Sequence, residues 1–499
     1  MLFGKALHLR MADYDLAIIG GGLNGASIAR DAAGRGLRVI LIEQGDLACA
    51  ASAASPPLIH GDPSLLEHRR WWRVRTRLAE RERWLANAPH LVRPMRFAIP
   101  LHPGERTPSV LRAGLMLYDR LGAATALPPA QTIDVTHHPI GNPLQRPFGI
   151  AFEYSDGLAD ATRLVIANAI DAAVRGAVIM TGARCVRADR ADTWRLAVID
   201  RGHRRVITAR ALANATGAWA QVVNETILRQ PPLPRQLHAV QVNQIIVPRL
   251  FDTDNVYVFQ HRDGRLIFAS PFERDFTLIG SVTRAFTGDP AIVAMPAADV
   301  TYFCGVLARY LRAPLHPTDV VRAVSGVNLT QSMKGLPRDG VLLFDHGRRG
   351  APLITMFGGE LTTSRRRAER AVTLLTPFYP MSPRWTATAR LPGGDFAWDR
   401  FDIEVNAARE RWRFLSEPQA QRLVGAYGSR LTGVLGEAKA REELGQAFGP
   451  ELTAAEVRYL MAKEWARFPE DILWRRSNLG LTMEAKDREA LAAFMASAA

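Results

Sequence analysis

The stretch Tyr14–Asp46, YDLAIIGGGLNGASIARDAAGRGLRVILIEQGD, constrains the fold more than any other part of the chain. Leu16–Ile19 is a short apolar run of the kind buried on both faces of a parallel sheet. Gly20, Gly22 and Gly25 follow as G-x-G-x-x-G. The first permits a tight turn, the second lets the backbone approach a pyrophosphate, and the third lets helix pack on strand. Ala26–Ala33 carries the helix, whose N-terminal N–H groups and dipole favour a diphosphate. Gly34 and Gly36 end it, Arg38–Ile42 reads as the second strand, and Glu43 closes that strand about 20 residues after the turn. An acid there accepts ribose hydroxyls, which argues for FAD or NAD over NADP, whose 2′-phosphate wants an arginine.

The chain has 499 residues, enough for two to four domains at roughly 150 residues each. Cys49, Cys185 and Cys304 show no metal-ligand spacing and suggest a reducing compartment. There is no run of about 18 uncharged apolar residues to cross a membrane, and MLFGKALHLRMADYD lacks the apolar core of a signal peptide. Met11 reads as an alternative start, leaving residues 1–10 as an N-terminal extension, and a cytoplasmic location is expected. Formal net charge is +14. The arginines are spread along the chain and no nucleic-acid motif frames them, so no nucleic-acid partner is expected.

Ser64-Leu65-Leu66-Glu67 after Pro63 resembles a capping box and predicts a helix from there to about Asn87. Within it, RRWWRVRTRLAERERW is strongly cationic and carries Trp71, Trp72 and Trp84. A solvated helix face is favoured over a membrane-surface helix, because Glu80 and Glu82 interrupt the charge. Pro94–Asp119 reads as a proline-rich excursion that Leu127–Pro147 continues, and Thr162–Arg175 reads as a helix. Ala177–Thr181, Cys185–Ala188, Arg195–Asp200 and Val206–Ala213 read as a β-meander ahead of Asn214-Ala215-Thr216-Gly217, where the chain returns to the cofactor. Gln241–Val247, Val256–Gln260, Leu266–Ala269 and Phe276–Gly280 predict a mostly antiparallel substrate-binding sheet, with an Asp263-Gly264 hairpin tip. Leu353–Phe357, Gly358-Gly359 and Leu361–Leu375 repeat strand, glycine turn and helix. That second helix N-terminus is expected at the isoalloxazine end of FAD, where its positive end favours the reduced flavin anion. Thr376–Trp398 reads as a linker, and Ile403–Phe414, Pro418–Tyr427, Ala454–Trp465 and Met483–Ala496 as helices of a separate domain.

The expected fold class is therefore α/β: a Rossmann-like FAD-binding domain, an antiparallel β-sheet substrate domain and a C-terminal all-α domain. The oxidoreductase part is expected over residues 11–375, the linker over 376–398 and the helical domain over 399–499. Within the first, FAD-binding segments fall at about 11–90, 150–235 and 330–375, and substrate or cap segments at 91–149 and 236–329.

IIGGGLNGASIARDAAGRGL, APHLVRPMRFAIP, FEYSDG, NATGAW, FGGELTT, LPGG, KEWARFPED and LWRRSNLGL together resemble the aerobic FAD-dependent glycerol-3-phosphate dehydrogenases, among the D-amino-acid-oxidase-like flavoproteins. The resemblance covers essentially the whole chain. It implies non-covalent FAD, hydride transfer from C2 of sn-glycerol 3-phosphate to give dihydroxyacetone phosphate, and electrons passed on to quinone. It also implies peripheral attachment to the inner face of the cell membrane and a homodimer. The cofactor set it implies is Gly20, Gly22, Asn24, Gly25, Glu43, Ser52, Leu58, His60, Gly217, Arg338, Gly358, Gly359, Leu361 and Thr362. No metal is implied.

Departures from the family pattern cluster at the substrate side. G-G-L-R-Y-L is here Gly61-Asp62-Pro63-Ser64-Leu65-Leu66, and Pro57 replaces a lysine. The family's K-G-S-H is Gln241-Val242-Asn243-Gln244, removing a histidine that resembles a catalytic base. The arginine of S-G-V-R is Asn328, the lysine of F-G-G-K is Glu360, and a T-D pair is Val282-Thr283. The catalytic base is thus unassigned, with His60 and Glu360 as candidates. Two readings follow: the family reaction on glycerol 3-phosphate or a related alcohol, and an FAD-binding paralogue with an altered substrate or no catalysis.

Overall fold

The computed structural model describes residues 12–101, 107–122, 127–145, 148–233, 237–331, 340–346 and 350–498. Met11 and residues 1–10 lie outside them, as does Arg338 of the predicted cofactor set.

Strand Tyr14–Ile19 lies between Val39–Glu43 and His203–Asn214, parallel to both, with Leu353–Phe357 beyond. Its period-2 alternation divides the core. Leu16, Ile18, Val39 and Leu41 pack under helices Leu23–Gly34, Ala161–Val174 and Ser364–Thr373. Ala17, Ile19, Ile40 and Ile42 face the other way, onto Trp194, Leu196 and Val198 of an antiparallel meander. Asp160 caps the helix Ala161–Val174, its carboxylate accepting from the Arg163 N–H at 2.9 Å. Val178–Thr181, expected in the meander, instead joins the parallel sheet beside Val39–Glu43, and the meander begins at Ala183.

The second sheet orders Arg322–Thr330, His238–Pro248, Phe276–Ala285, Leu266–Phe272, Val256–Gln260, Val92–Pro100, Ile150–Ala159 and Leu58–Ile59. Every pairing is antiparallel except the short parallel one between Val256–Gln260 and Val92–Pro100. The hairpin at Asp263-Gly264 forms as expected, with Gly264 at φ +85° and the Gly264 N–H donating to the His261 carbonyl. Two expectations are corrected. The stretch 94–119 does leave the nucleotide-binding sheet, but it is not loop: Val92–Pro100 is an inner strand of the second sheet and Pro108–Leu121 a helix. The predicted helix from Ser64 is also broken, into a 3-10 turn Pro63–Leu66 and a helix Trp71–Asn87. Asp62 takes the Ser64 hydroxyl at 2.5 Å, leaving no cap, and the chain passes through left-handed Arg69 (φ 54°) before the helix begins.

A third core, drawn wholly from residues 405–495, holds the C-terminal helices Phe401–Arg411, Glu417–Tyr427, Ala454–Glu464 and Ala485–Ala498 together. It docks on the nucleotide-binding layer through buried charge. Arg163 bonds Glu464, Arg430 reaches the same carboxylate at 3.2 Å, and Arg475 and Arg476 hold Asp46 at 2.5 and 2.7 Å. Residues 376–398 pack against the first layer, with the Trp385 indole against Gly34 and its N–H donating to the Asp31 carbonyl.

Candidate functional site

Two glycine turns meet at the C-terminal ends of the parallel strands. In the first, Gly20 sits at φ +109°, a conformation glycine adopts without a Cβ penalty. A Cβ at Gly20 would lie 2.5 Å from the Ala215 carbonyl oxygen, and one at Gly25 would lie 1.9 Å from the Gly20 oxygen. Strand end, turn and helix are therefore in backbone contact. Gly22 has no side chain to cap the helix that follows, so the N–H groups after Leu23 stay available to an anion. The Ser52 hydroxyl accepts from the Leu23 N–H at 3.0 Å and fixes the loop over this turn.

Glu43 accepts from the Gly21 N–H at 2.6 Å and the Gly45 N–H at 2.8 Å. Burial pushes its pKa up against the lowering effect of those two donors. The carboxylate keeps further lone pairs for hydroxyl donors.

The second turn is Gly358 and Gly359, at φ +64° and +89°. Asn24 ties the two turns together: its amide N–H donates to the Gly358 carbonyl at 3.2 Å, and its amide oxygen accepts from Arg367 at 3.0 Å. Arg367 also donates to the Glu360 carbonyl at 2.8 Å. Thr362 links the turn to the other sheet, accepting from the His60 N–H at 3.0 Å, while its own carbonyl accepts from the Trp84 indole at 2.9 Å. Leu58, His60, Leu361 and Thr362 are thus gathered at one place, with the His60 ring edge-on to Phe268. The second helix begins at Ser364, three residues later than expected, so Leu361–Thr363 form the turn itself. Gly217 stands at φ +57° beyond Asn214, with open space where a Cβ would be. Glycine cradle, uncapped helix start and acid fit the diphosphate and ribose of a dinucleotide such as FAD.

Three of the positions that depart from the family pattern meet in one bonded cluster. Ser64 donates to Asp62, and Arg77 donates to Asp62 at 2.9 Å and to Glu360 at 2.7 Å. The Arg77 side chain is 0% exposed. Arg77 went unassigned because it lies inside a cationic run that reads as solvated. The signal was periodicity: Val74, Arg77, Leu78, Arg81, Trp84 and Leu85 form one buried stripe, while Trp71 and Trp72 at the helix start are exposed. Behind the loop, Tyr118 accepts from the Gly61 N–H at 2.8 Å and donates to Asp156 at 2.6 Å, and Arg81 closes on Asp156 at 2.9 Å.

Gln244 and Asn328, two of the other changed positions, stand apart from this cluster. The buried Gln244 amide donates to the Ala54 carbonyl at 2.6 Å. Asn328 lies on strand Arg322–Thr330 opposite Val240.

Comparison with known proteins places the chain by family and fold. The family described as "FAD dependent oxidoreductase" matches residues 15–365, and "C-terminal domain of alpha-glycerophosphate oxidase" matches residues 384–499. The chain is 40% identical to a glycerol-3-phosphate dehydrogenase of Pseudomonas aeruginosa, over 97% of this chain and 95% of the relative. It is 39% identical to D-erythritol 1-phosphate dehydrogenase of Brucella abortus, over 95% and 96%. Its fold matches a Bacillus halodurans glycerol-3-phosphate dehydrogenase solved with FAD, at TM-score 0.77 and 23% identity, covering 97% of this chain and 90% of that one. The chain is a member of the FAD-dependent glycerol-3-phosphate dehydrogenase family of oxidoreductases.

Proposed function

We propose that the chain oxidises the secondary alcohol of sn-glycerol 3-phosphate or a related small polyol to the ketone, dihydroxyacetone phosphate in the first case, and passes the electrons on to a quinone. The observation that carries this reading is near-full-length identity to glycerol-3-phosphate dehydrogenase together with an intact two-turn glycine cradle. FAD supplies the hydride acceptor. As the C2–H hydride leaves, the hydroxyl proton must pass to a base and C2 becomes a carbonyl. The Gln244 amide does not titrate, so we assign that proton to the His60 imidazole, whose main chain is fixed by Thr362. The Asn24–Arg367 link holds the two cofactor turns in one geometry during transfer.

The test is anaerobic addition of excess glycerol 3-phosphate and of free polyols to the FAD-loaded protein. Bleaching of the visible flavin absorbance by at least one of them is expected. An oxidised flavin that none of them reduces sinks this reading.

Attachment to the membrane surface belongs to the same proposal. Among the described residues no helix is long and apolar enough to cross a membrane. Trp71, Trp72, Val110, Met116 and Leu117 are exposed, with Arg69, Arg70, Arg112 and Arg120 exposed on the same two helices and the turn before them. The inner side of the pair, Val74, Leu78, Leu115 and Tyr118, is packed in a core, so this apolar surface is presented by a fixed scaffold. Aromatic and apolar side chains among arginines suit an anionic lipid interface. Replacing Trp71 and Trp72 by serine is expected to leave folding intact and to release most of the protein from sedimenting anionic vesicles. Undiminished co-sedimentation would assign the contact elsewhere.

A further inference from the structure

We propose a second ligand site, for a phosphate monoester, in a cleft between the parallel sheet and the C-terminal helices, where Arg201 and Arg467 line one space. The cleft has a volume of about 690 Å³ and runs along Val178–Thr181, the edge strand of that sheet. None of the glycine-cradle residues lines it.

The two arginines come from different layers. Arg201 stands at φ 49° in the turn between strands Trp194–Asp200 and His203–Asn214. Arg467 follows the helix Ala454–Glu464. Its guanidinium lies over Gly182, where an added Cβ would be 2.3 Å from Nη1 and 3.2 Å from Cζ. A glycine at that position thus gives the head of Arg467 its place in the cleft, and a ligand bridging both arginines ties the C-terminal helices to the nucleotide-binding layer.

The acids around them are already engaged. Asp200, next to Arg201, pairs with Arg205 at 3.1 Å. Asp13 accepts from the Thr208 N–H and hydroxyl, both at 2.8 Å. Asp46 and Asp471, the other acids near Arg467, are held by Arg475 and Arg476. The guanidinium groups of Arg201 and Arg467 make no hydrogen bond or ion pair among the described residues. Burial and the neighbouring Arg201 charge both lower the Arg467 pKa, so the pair is under mutual repulsion. A dianion between the two relieves it, and two guanidinium groups match both the charge and the several acceptor oxygens of a phosphate monoester. Thr181 gives an independent sign. It lines the cleft at 2% exposure, and its buried hydroxyl has no partner among the described residues. A phosphate oxygen, directly or through a bound water, accepts that proton.

The experiment is calorimetric titration of the FAD-loaded protein with methyl phosphate at constant ionic strength, in the natural chain and in Arg201→Gln, Arg467→Gln and Arg204→Gln. Saturable binding is expected, weakened about tenfold or more by either of the first two substitutions. Arg204 is exposed on the same hairpin and does not line the cleft, so its variant removes an equal charge and should bind within about twofold of the natural chain. Circular dichroism checks folding, and the variant at exposed Arg201 decides the matter if Arg467→Gln misfolds. Sedimentation with phosphatidic acid vesicles is the second arm. Retention that Arg201→Gln and Arg467→Gln abolish, without methyl phosphate binding, assigns the phosphate to a lipid headgroup instead of a free ester. An affinity that neither substitution changes, or that Arg204→Gln lowers equally, overturns the proposal. So does a protein that binds no methyl phosphate and whose vesicle retention is indifferent to both arginines.

Discussion

Gly25→Ala is expected to yield protein that has lost FAD. The added methyl would sit 1.9 Å from the Gly20 carbonyl oxygen and 3.1 Å from its carbon, with the Ala215 side chain 3.5 Å away. None of these is the movable end of a long side chain. Gly20 has little room to retreat, because its N–H is held by the Ile42 carbonyl at 2.9 Å and the Ala215 carbonyl, just past the neighbouring strand, occupies the space where its own Cβ would be. The helix Leu23–Gly34 must therefore lift from the sheet, and the N–H groups of its first turn lose their aim at the diphosphate. Overpacking of this kind costs about 3 kcal/mol, or about a hundredfold in an affinity that depends on that turn. The visible flavin absorbance per protein after gel filtration measures it. Gly217→Ala is the control: its new methyl meets nothing within 4 Å, and only the positive φ of +57° penalises it. Holding an alanine in a left-handed conformation costs about 1–2 kcal/mol, so most of the flavin should stay bound. Equal retention in both variants would show that the close approach at Gly25 is relieved at little cost.

Gly25 was legible in the sequence because its constraint is local: strand, turn, helix and acid lie within about 30 residues and each has its own pattern. The Gly358-Gly359 turn was legible for the same reason. What escaped reading depends on distant partners. Arg77 looks solvated among its neighbours, and its burial is set by Glu360 far along the chain. The strand Val92–Pro100 looks like a loop because of its prolines, and becomes a strand by pairing with Ile150–Ala159. Ser64 carried a sound capping signal that lost to a competitor two residues away, the Asp62 carboxylate. Nothing in the departures from the family pattern, read along the sequence, shows that three of the changed positions, Asp62, Ser64 and Glu360, are joined through Arg77.

The joint between the C-terminal helices and the nucleotide-binding layer was equally invisible, since Arg163 and Glu464 are 301 positions apart. Glu464 is fully buried, and its carboxylate receives Arg163 and Arg430 while its carbonyl accepts from Arg476 at 2.6 Å. Burial pushes its pKa up, but Arg163, Arg430 and Arg476 outweigh burial and hold it below the usual carboxylate range. Glu464→Ala leaves the Arg163 guanidinium buried at 3% exposure without its counter-charge. Destabilisation of about 3–5 kcal/mol is expected, read as an earlier first transition in urea. The sign of the pH dependence follows from the lowered pKa. Stability from this group is complete above the unfolded-state value, about 4.5 for a glutamate, and is lost as pH falls through the folded value. The gap between the natural chain and Glu464→Ala should therefore be widest near neutrality and close in acid. A second variant separates lost attraction from stranded charge. Arg163→Met combined with Glu464→Leu removes both ions and fills the space with apolar atoms, a change that is often neutral or stabilising when a buried pair is replaced whole. Recovery of most of the lost stability in the double variant would show that the single change fails through an uncompensated cation. A double variant as weak as the single one would instead show that Arg163, through its bond to the Ala426 carbonyl, holds the two layers together by itself.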